Sequence, residues 1–243
     1  MRRPSGRRFP QSKGGAVRVN KPPYICFEGL DGSGKSTIVE RIVPLLEQQG
    51  YKAQSVCPTK AGCQCSGIEK IFHRYPCLHR YRVLRMFLYA YRSNYAADHM
   101  DWNADLLLGD RSLVTSYICR WTRSSLRNRF VVFLVDWLEY KIPAPDHIIY
   151  LDVPYPVLCQ RLSGRGTRDI DETEKRSREM RQAYDMLRSQ KAAVRRLRGA
   201  TWYRVNGDQQ EEAVCRDALG IIMPLLKKTE LRKEDTKCLP RSH

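Results

Sequence analysis

The sequence predicts an α/β fold in which a parallel sheet carries helices on its faces. Three observations support this. Short apolar runs alternate with helical patterns along the chain, an order that pairs strands in parallel through helical crossovers. The first apolar run leads into a glycine-rich stretch, FEGLDGSGKSTI, and then into a helix. The 243 residues are 42% hydrophobic and 28% charged, enough for one substantial core. No apolar run reaches the roughly 18–20 residues that cross a bilayer.

The elements follow in order. Tyr24–Gly29 is apolar and β-forming, fit for a buried strand. A helix over 35–48 begins with Ser36-Thr37-Ile38-Val39, and Pro44 is expected to kink or shorten it. Strands are then expected at Ala53–Cys57, Leu106–Asp110, His147–Val153 and Thr201–Asn206. Helices are expected over 66–73, 80–101, 113–141 in two pieces, 155–163, 172–198 and 209–227. There is no internal repeat. Residues 1–22 read as a disordered basic arm, 23–228 as one domain with a lid at about 163–174, and 229–243 as a flexible charged tail.

The glycine-rich stretch meets G-x-x-x-x-G-K-[ST] at Gly29, Gly34, Lys35 and Ser36, between a strand and a helix as that pattern requires. Phosphate oxygens need several converging backbone N–H donors, and side chains would block their approach. Gly29, Gly32 and Gly34 keep the loop bare and allow positive φ. Lys35 can reach the β- and γ-phosphates, and the Ser36 hydroxyl can serve Mg²⁺.

Other segments supply partners for this loop. Gly109-Asp110-Arg111 ends an apolar strand. In a parallel sheet that end faces the phosphate loop, so Asp110 can serve Mg²⁺ or orient the attacking oxygen, and Arg111 can clamp a phosphate. Arg92 stands among aromatics in a mostly apolar helix, FLYAYRSNY, where a guanidinium needs an anion. Arg161, Arg165 and Arg168 surround two glycines, which suits a lid closing over a triphosphate.

These motifs occur in the order FEGLDGSGKST, CPTKAG, FLYAYRSNY, GDRSLVTSY, PAPDHIIYLDVP and RGTRD. In that order and spacing, residues 22–227 resemble the thymidylate kinases. The resemblance implies a P-loop NTPase three-layer sandwich with a five-stranded parallel sheet. It implies ATP-dependent phosphorylation of a nucleoside monophosphate, dTMP first, by in-line transfer with Mg²⁺. It also implies a homodimer through packed helices. Carried over to this chain, the ATP side takes Gly29, Asp31, Gly32, Ser33, Gly34, Lys35, Ser36, Thr37, Arg161 and Asn206. The acceptor side takes Glu28, Thr59, Leu88, Arg92, Arg111 and Tyr117. Catalysis falls to Asp31, Lys35, Asp110, Arg111, Arg165 and Arg168, and the metal to Ser36 and Asp110.

The chain departs from the family pattern at named positions. Gly32 stands where some members place a catalytic arginine, so that charge is expected from Arg165 or Arg168 of the lid. Cys57 precedes Pro58 where the family has a charged residue. Leu88 stands where an aromatic stacks on the base, Ser112 replaces a tyrosine, and Arg120 replaces a glutamine near the base. Base preference is therefore left open. A deoxynucleoside kinase, with Glu28 as base toward a sugar hydroxyl, is the nearest alternative. A catalytically weak P-loop nucleotide-binding protein is another.

The net charge of +17 favours anionic partners. Residues 1–23 hold seven basic residues and no acidic one. Nucleic acid is expected as a partner only through this arm, which also suits a mitochondrial transit peptide apart from lacking an amphipathic stripe. The nine cysteines are odd in number and follow no secretory segment, so an intracellular, cytoplasmic protein with reduced thiols is expected. Cys57, Cys63, Cys65, His73, Cys77 and His79 cluster, but their spacing matches no common zinc pattern. The five histidines show no nucleophile-elbow context.

Overall fold

A computed structural model describes residues 21–60, 67–123, 129–164, 174–189 and 194–238. Its five strands are β1 (Tyr24–Glu28), β2 (Ala53–Val56), β3 (Leu106–Asp110), β4 (His147–Asp152) and β5 (Thr201–Asn206). They form one sheet in the order β2–β3–β1–β4–β5, and every pairing is parallel. Each strand lies within one residue of its expected bounds. The helices are α1 (Lys35–Gln48), α2 (Gly67–Arg74), α3 (Arg82–Asp98), α4 (Leu113–Arg123), α5 (Arg129–Leu138), α6 (Tyr155–Ser163), α7 (Glu174–Ser189) and α8 (Glu211–Cys238).

Two apolar layers sandwich the sheet, because successive strand residues point to opposite faces. Ile25 and Phe27 of β1 join Ile38 and Ile42 of α1 and Ala218 and Ile222 of α8 in one core. Tyr24 and Cys26 join Tyr117 of α4, Val135 of α5 and Tyr184 of α7 in the other. Both faces of β1 are buried, which is why it reads as a continuous apolar run. β1 is central, and its end lies beside those of β3 and β4, with Phe27 opposite Asp110 and Glu28 opposite Tyr150. The loop after β1 therefore opens over the carboxyl ends of its neighbours, where open α/β sheets bind ligands.

Four expectations need correction. Pro44 does not shorten α1, which continues to Gln48. Proline removes the hydrogen bond to the carbonyl four residues back. Here that carbonyl belongs to Glu40, an exposed residue like Pro44 itself, so water can serve it. The same holds in α8, where both Pro224 and Gly220 are exposed. α8 also runs past 227 to Cys238, because the charged segment is rich in good helix formers. The helix expected over 80–101 is α3 alone, Arg82–Asp98, and a 3₁₀ turn at Pro76–Arg80 precedes it. Of the basic stretch 172–198, α7 covers Glu174–Ser189 and a 3₁₀ turn covers Arg195–Leu197. The arm 1–20 lies outside the described residues. Among the described residues, no helix is long and apolar enough to cross a membrane.

Candidate active site

The site is built on the turn from β1 into α1. Gly29, Gly32 and Gly34 all take positive φ, at 149°, 82° and 90°. At Gly29 the backbone is also crowded, since a Cβ would stand 2.8 Å from the Leu151 carbonyl oxygen. Gly34 is the N-cap of α1 and needs its left-handed conformation to turn the chain into the helix. Lys35 opens the helix, and its ammonium folds back over the loop. It donates to the Leu30 carbonyl at 2.6 Å and to the Ser33 hydroxyl at 3.0 Å.

Across the cleft, Ser36 donates to the Asp110 carboxylate at 2.6 Å. That carboxylate also meets the Cys57 thiol at 3.7 Å and Lys60 Nζ at 3.5 Å. Burial, then the Asp110 charge, pushes the Cys57 thiol up from its ordinary value. Arg111 takes φ 73°, a strained left-handed conformation outside glycine, which costs about 1–3 kcal/mol and recurs at functional sites. Its guanidinium pairs with Asp31. A cavity of about 230 Å³ is lined by Asp31, Gly32, Gly34, Lys35, Ser36, Thr37, Thr59, Lys60, Asp110 and Arg111. Six cationic or hydroxyl-bearing side chains, Lys35, Ser36, Thr37, Thr59, Lys60 and Arg111, thus line the cavity beside a bare backbone loop. This is an arrangement for binding a polyanion.

The hard oxygens of Ser36 and Asp110, already adjacent at this cavity, fit a Mg²⁺ ion. Among the described residues, no three His, Cys, Asp or Glu side chains gather to hold a metal on their own. Mg²⁺ usually keeps several waters and shares substrate phosphates, so a smaller donor set suffices. Cys63 and Cys65 of the cysteine cluster lie outside the described residues, as do the lid arginines Arg165 and Arg168. Ser33 is buried beside the loop.

The remaining expected residues are distributed around this cavity. Arg161, near the end of α6, donates to the Gly207 carbonyl at 2.9 Å and so ties α6 to the turn after Asn206. The Asn206 side chain accepts from the Asp208 N–H at 2.9 Å. Arg92 does not stand alone in its helix. It donates to both oxygens of Glu69, at 2.6 and 2.9 Å, and to the Thr59 carbonyl at 3.1 Å. The bond with Glu69 is the main cause that holds its guanidinium above its ordinary pKa.

Glu28, Leu88 and Tyr117 are fully buried and do not line the cavity. The Glu28 carboxylate accepts from the Ser112 N–H and hydroxyl at 2.8 and 2.7 Å, from Thr115 at 2.8 Å and from Tyr184 at 2.9 Å. It joins β1 to the start of α4 and to α7. Burial, then the Glu28 charge, pushes the Tyr184 phenol well up. The Tyr117 hydroxyl donates to Asp136, and burial followed by that bond raises its pKa. Arg120 pairs with the buried Glu139 at 3.2 Å, and Glu139 also accepts from Ser93 at 2.8 Å.

Sequence reasoning missed Lys60 and Glu69. Lys60 had a local signal, since it follows Thr59 in the loop beyond the end of β2. Glu69 had none, because 23 residues separate it from Arg92.

Comparison with known proteins agrees with this geometry. The family model for thymidylate kinase matches residues 27–201. A thymidylate kinase from Cupriavidus necator is 25% identical over 195 residues, which is 78% of this chain and 94% of that protein. A probable thymidylate kinase from Methanothermobacter thermautotrophicus is 28% identical over 152 residues, 58% of this chain and 70% of its own. Another from Thermoplasma acidophilum is 24% identical over 214 residues, covering 84% and 97%. The matched model spans most of the sheet and its crossovers, so the chain belongs to the thymidylate kinase family and is a nucleoside monophosphate kinase.

Proposed function

We propose that the protein transfers the γ-phosphoryl group of ATP to dTMP, giving dTDP and ADP. The convergence of Lys35, Ser36, Asp110, Arg111 and Lys60 on one cavity beside the bare loop carries this reading. The similar proteins, which are thymidylate or probable thymidylate kinases, favour dTMP as acceptor.

In this mechanism the ATP phosphates rest on the loop Gly29–Thr37, with Lys35 swinging from its loop contacts to the β- and γ-oxygens. Arg111 and Lys60, across the cavity, hold the acceptor phosphate. An oxygen of that phosphate attacks the γ-phosphorus in line, and the bond from γ-phosphorus to the β–γ bridging oxygen breaks, leaving ADP. Mg²⁺, when bound, would be held by Ser36 and Asp110 and would neutralise charge on the transferring group. The protein contributes position and charge. Arg165 or Arg168, both outside the described residues, would supply further positive charge to the transferring group. Glu28 has both oxygens engaged by four donors, which speaks against a base toward a sugar hydroxyl and for a phosphate acceptor. The described cysteines are all free, which suits a reducing, intracellular compartment.

A coupled ADP-release assay with dTMP, dUMP, dCMP, UMP, CMP, AMP, dGMP and the parent nucleosides tests the reading. Preference for dTMP is expected. Preference for a nucleoside, or turnover independent of acceptor, would overturn it.

A further inference from the structure

We propose that Glu69 is a specificity-determining positioning residue that acts through Arg92 on recognition of the acceptor's base. The proposal rests on the phosphotransfer reading above, and it concerns a residue that neither the phosphate loop nor the Asp-Arg pair includes. Glu69 sits in the first turn of α2 and Arg92 in the middle of α3. Both side chains are largely buried, at 9% and 17% exposure. The carboxylate grips the guanidinium at two points, Nε and Nη2, and the third bond runs from Nη1 to the Thr59 carbonyl. Thr59 itself lines the phosphate cavity. The Arg92 guanidinium also lies 5.6 Å from the centre of the Tyr89 ring.

Two consequences follow. A guanidinium has five N–H donors. Three of Arg92's are engaged among the described residues, so one remains on each terminal nitrogen. Its charge is also balanced at close range by Glu69. A neutralised arginine with oriented donors attracts a second anion weakly but still donates well to a neutral carbonyl or ring nitrogen. Glu69 thus assigns Arg92 to a neutral base edge and leaves the acceptor phosphate to Arg111 and Lys60. By fixing the guanidinium it also keeps Arg92 bonded to the Thr59 carbonyl at the rim of the cavity. A site built to hydrogen-bond a ligand discriminates strongly against ligands that leave its buried groups unpaired. Removing Glu69 frees Arg92 to bind phosphate, so recognition shifts away from the base.

The test compares the wild type with Glu69→Gln and Glu69→Asp, using dTMP, dCMP and the base-free ligand deoxyribose 5-phosphate. Equilibrium binding is measured by calorimetry alongside kcat and KM for ATP and acceptor. For Glu69→Gln, dTMP affinity is expected to fall about tenfold, as loss of one charge-assisted bond implies. The preference for dTMP over deoxyribose 5-phosphate should fall further, while KM for ATP stays within about twofold. Glu69→Asp, which keeps the charge, should restore part of the preference. In an Arg92→Lys background, Glu69→Gln should add little, because the effect runs through the guanidinium. An unchanged ligand preference in a folded Glu69→Gln protein overturns the proposal, as does an equal rise in both KM values. If Glu69→Gln does not fold, Glu69→Asp and Arg92→Lys decide by the same preference ratio. Wild-type turnover with an unmoved ratio refutes this inference alone. A wild type that neither binds nor phosphorylates any monophosphate refutes the functional reading with it.

Discussion

Lys35 carries an ammonium into a position only 4% exposed, where it donates to a carbonyl and a hydroxyl of its own loop. These contacts hold the ammonium over the bare loop, where the phosphates of a nucleotide would meet it. Lys35→Ala should therefore lower kcat by about a hundredfold or more, while circular dichroism and thermal unfolding stay close to the wild type. Near-normal turnover would remove Lys35 from the catalytic set. At this scale most cavity residues were legible because they lie in two short local patterns, 29–37 and 109–111, whereas Thr59 and the missed Lys60 lie in neither. Glu28 was legible as a chemical group but not as a structural one. Its four donors come from Ser112, Thr115 and Tyr184, brought to it only by the sheet and the packing of α7. Leu88 and Tyr117 sit in helices whose apolar periodicity does not tell a core-facing residue from a cleft-facing one.

Strands and helices were more legible than single contacts, since burial on both faces writes itself as a run of apolar residues in β1, β3 and β4. Pro44 was misjudged because a local rule, loss of one hydrogen bond, was applied without knowing that Glu40, whose carbonyl loses it, is an exposed residue. That correction has a measurable consequence. The helix still bears the intrinsic cost of proline, so Pro44→Ala should stabilise the protein by about 1–3 kcal/mol, less whatever proline contributes by restricting the unfolded chain. Urea unfolding of the two proteins measures this directly, and a less stable alanine variant would show that Pro44 is accommodated without strain. The end of α8 was missed for a related reason. A run of Lys, Glu, Leu and Arg continues a helix on propensity alone, where a charge pattern reads as a tail.

Across the whole molecule, two properties emerge that no single element carries. One is a set of buried phenols. Burial, then Asp152, raises the Tyr150 pKa from 10.0 to about 12, and burial likewise raises Tyr24 and Tyr184. Their folded-state pKa values lie above the unfolded ones, so the stabilisation is complete below pH 10 and is lost as pH rises. Tyr150 alone accounts for about 2–3 kcal/mol across the window from 10 to 12. The urea midpoint should hold level to about pH 9.5 and then fall steeply; a level midpoint at pH 11.5 would contradict it.

The other property is an apolar surface. α5 turns Phe130, Phe133 and Trp137 to solvent at helical spacing, with Tyr140 just beyond its end, and the first turns of α3 expose Val83, Leu84 and Phe87. The two helices are packed together, with Ser93 bonded to Glu139 and Asn94 to the Leu138 carbonyl. Large aromatics exposed in such numbers on adjoining helices mark an interaction surface. We propose that a second copy of the chain covers this face, as the family resemblance implies. A two-fold contact would bring the same helices of both copies together, burying the aromatics that α5 cannot bury on its own core. Light scattering should give twice the chain mass for the wild type. Phe133→Glu combined with Trp137→Glu should give a monomer that still folds, since both side chains are more than half exposed. A wild type that is monomeric at high concentration would refute the dimer, and a variant that remains dimeric would move the contact to another face.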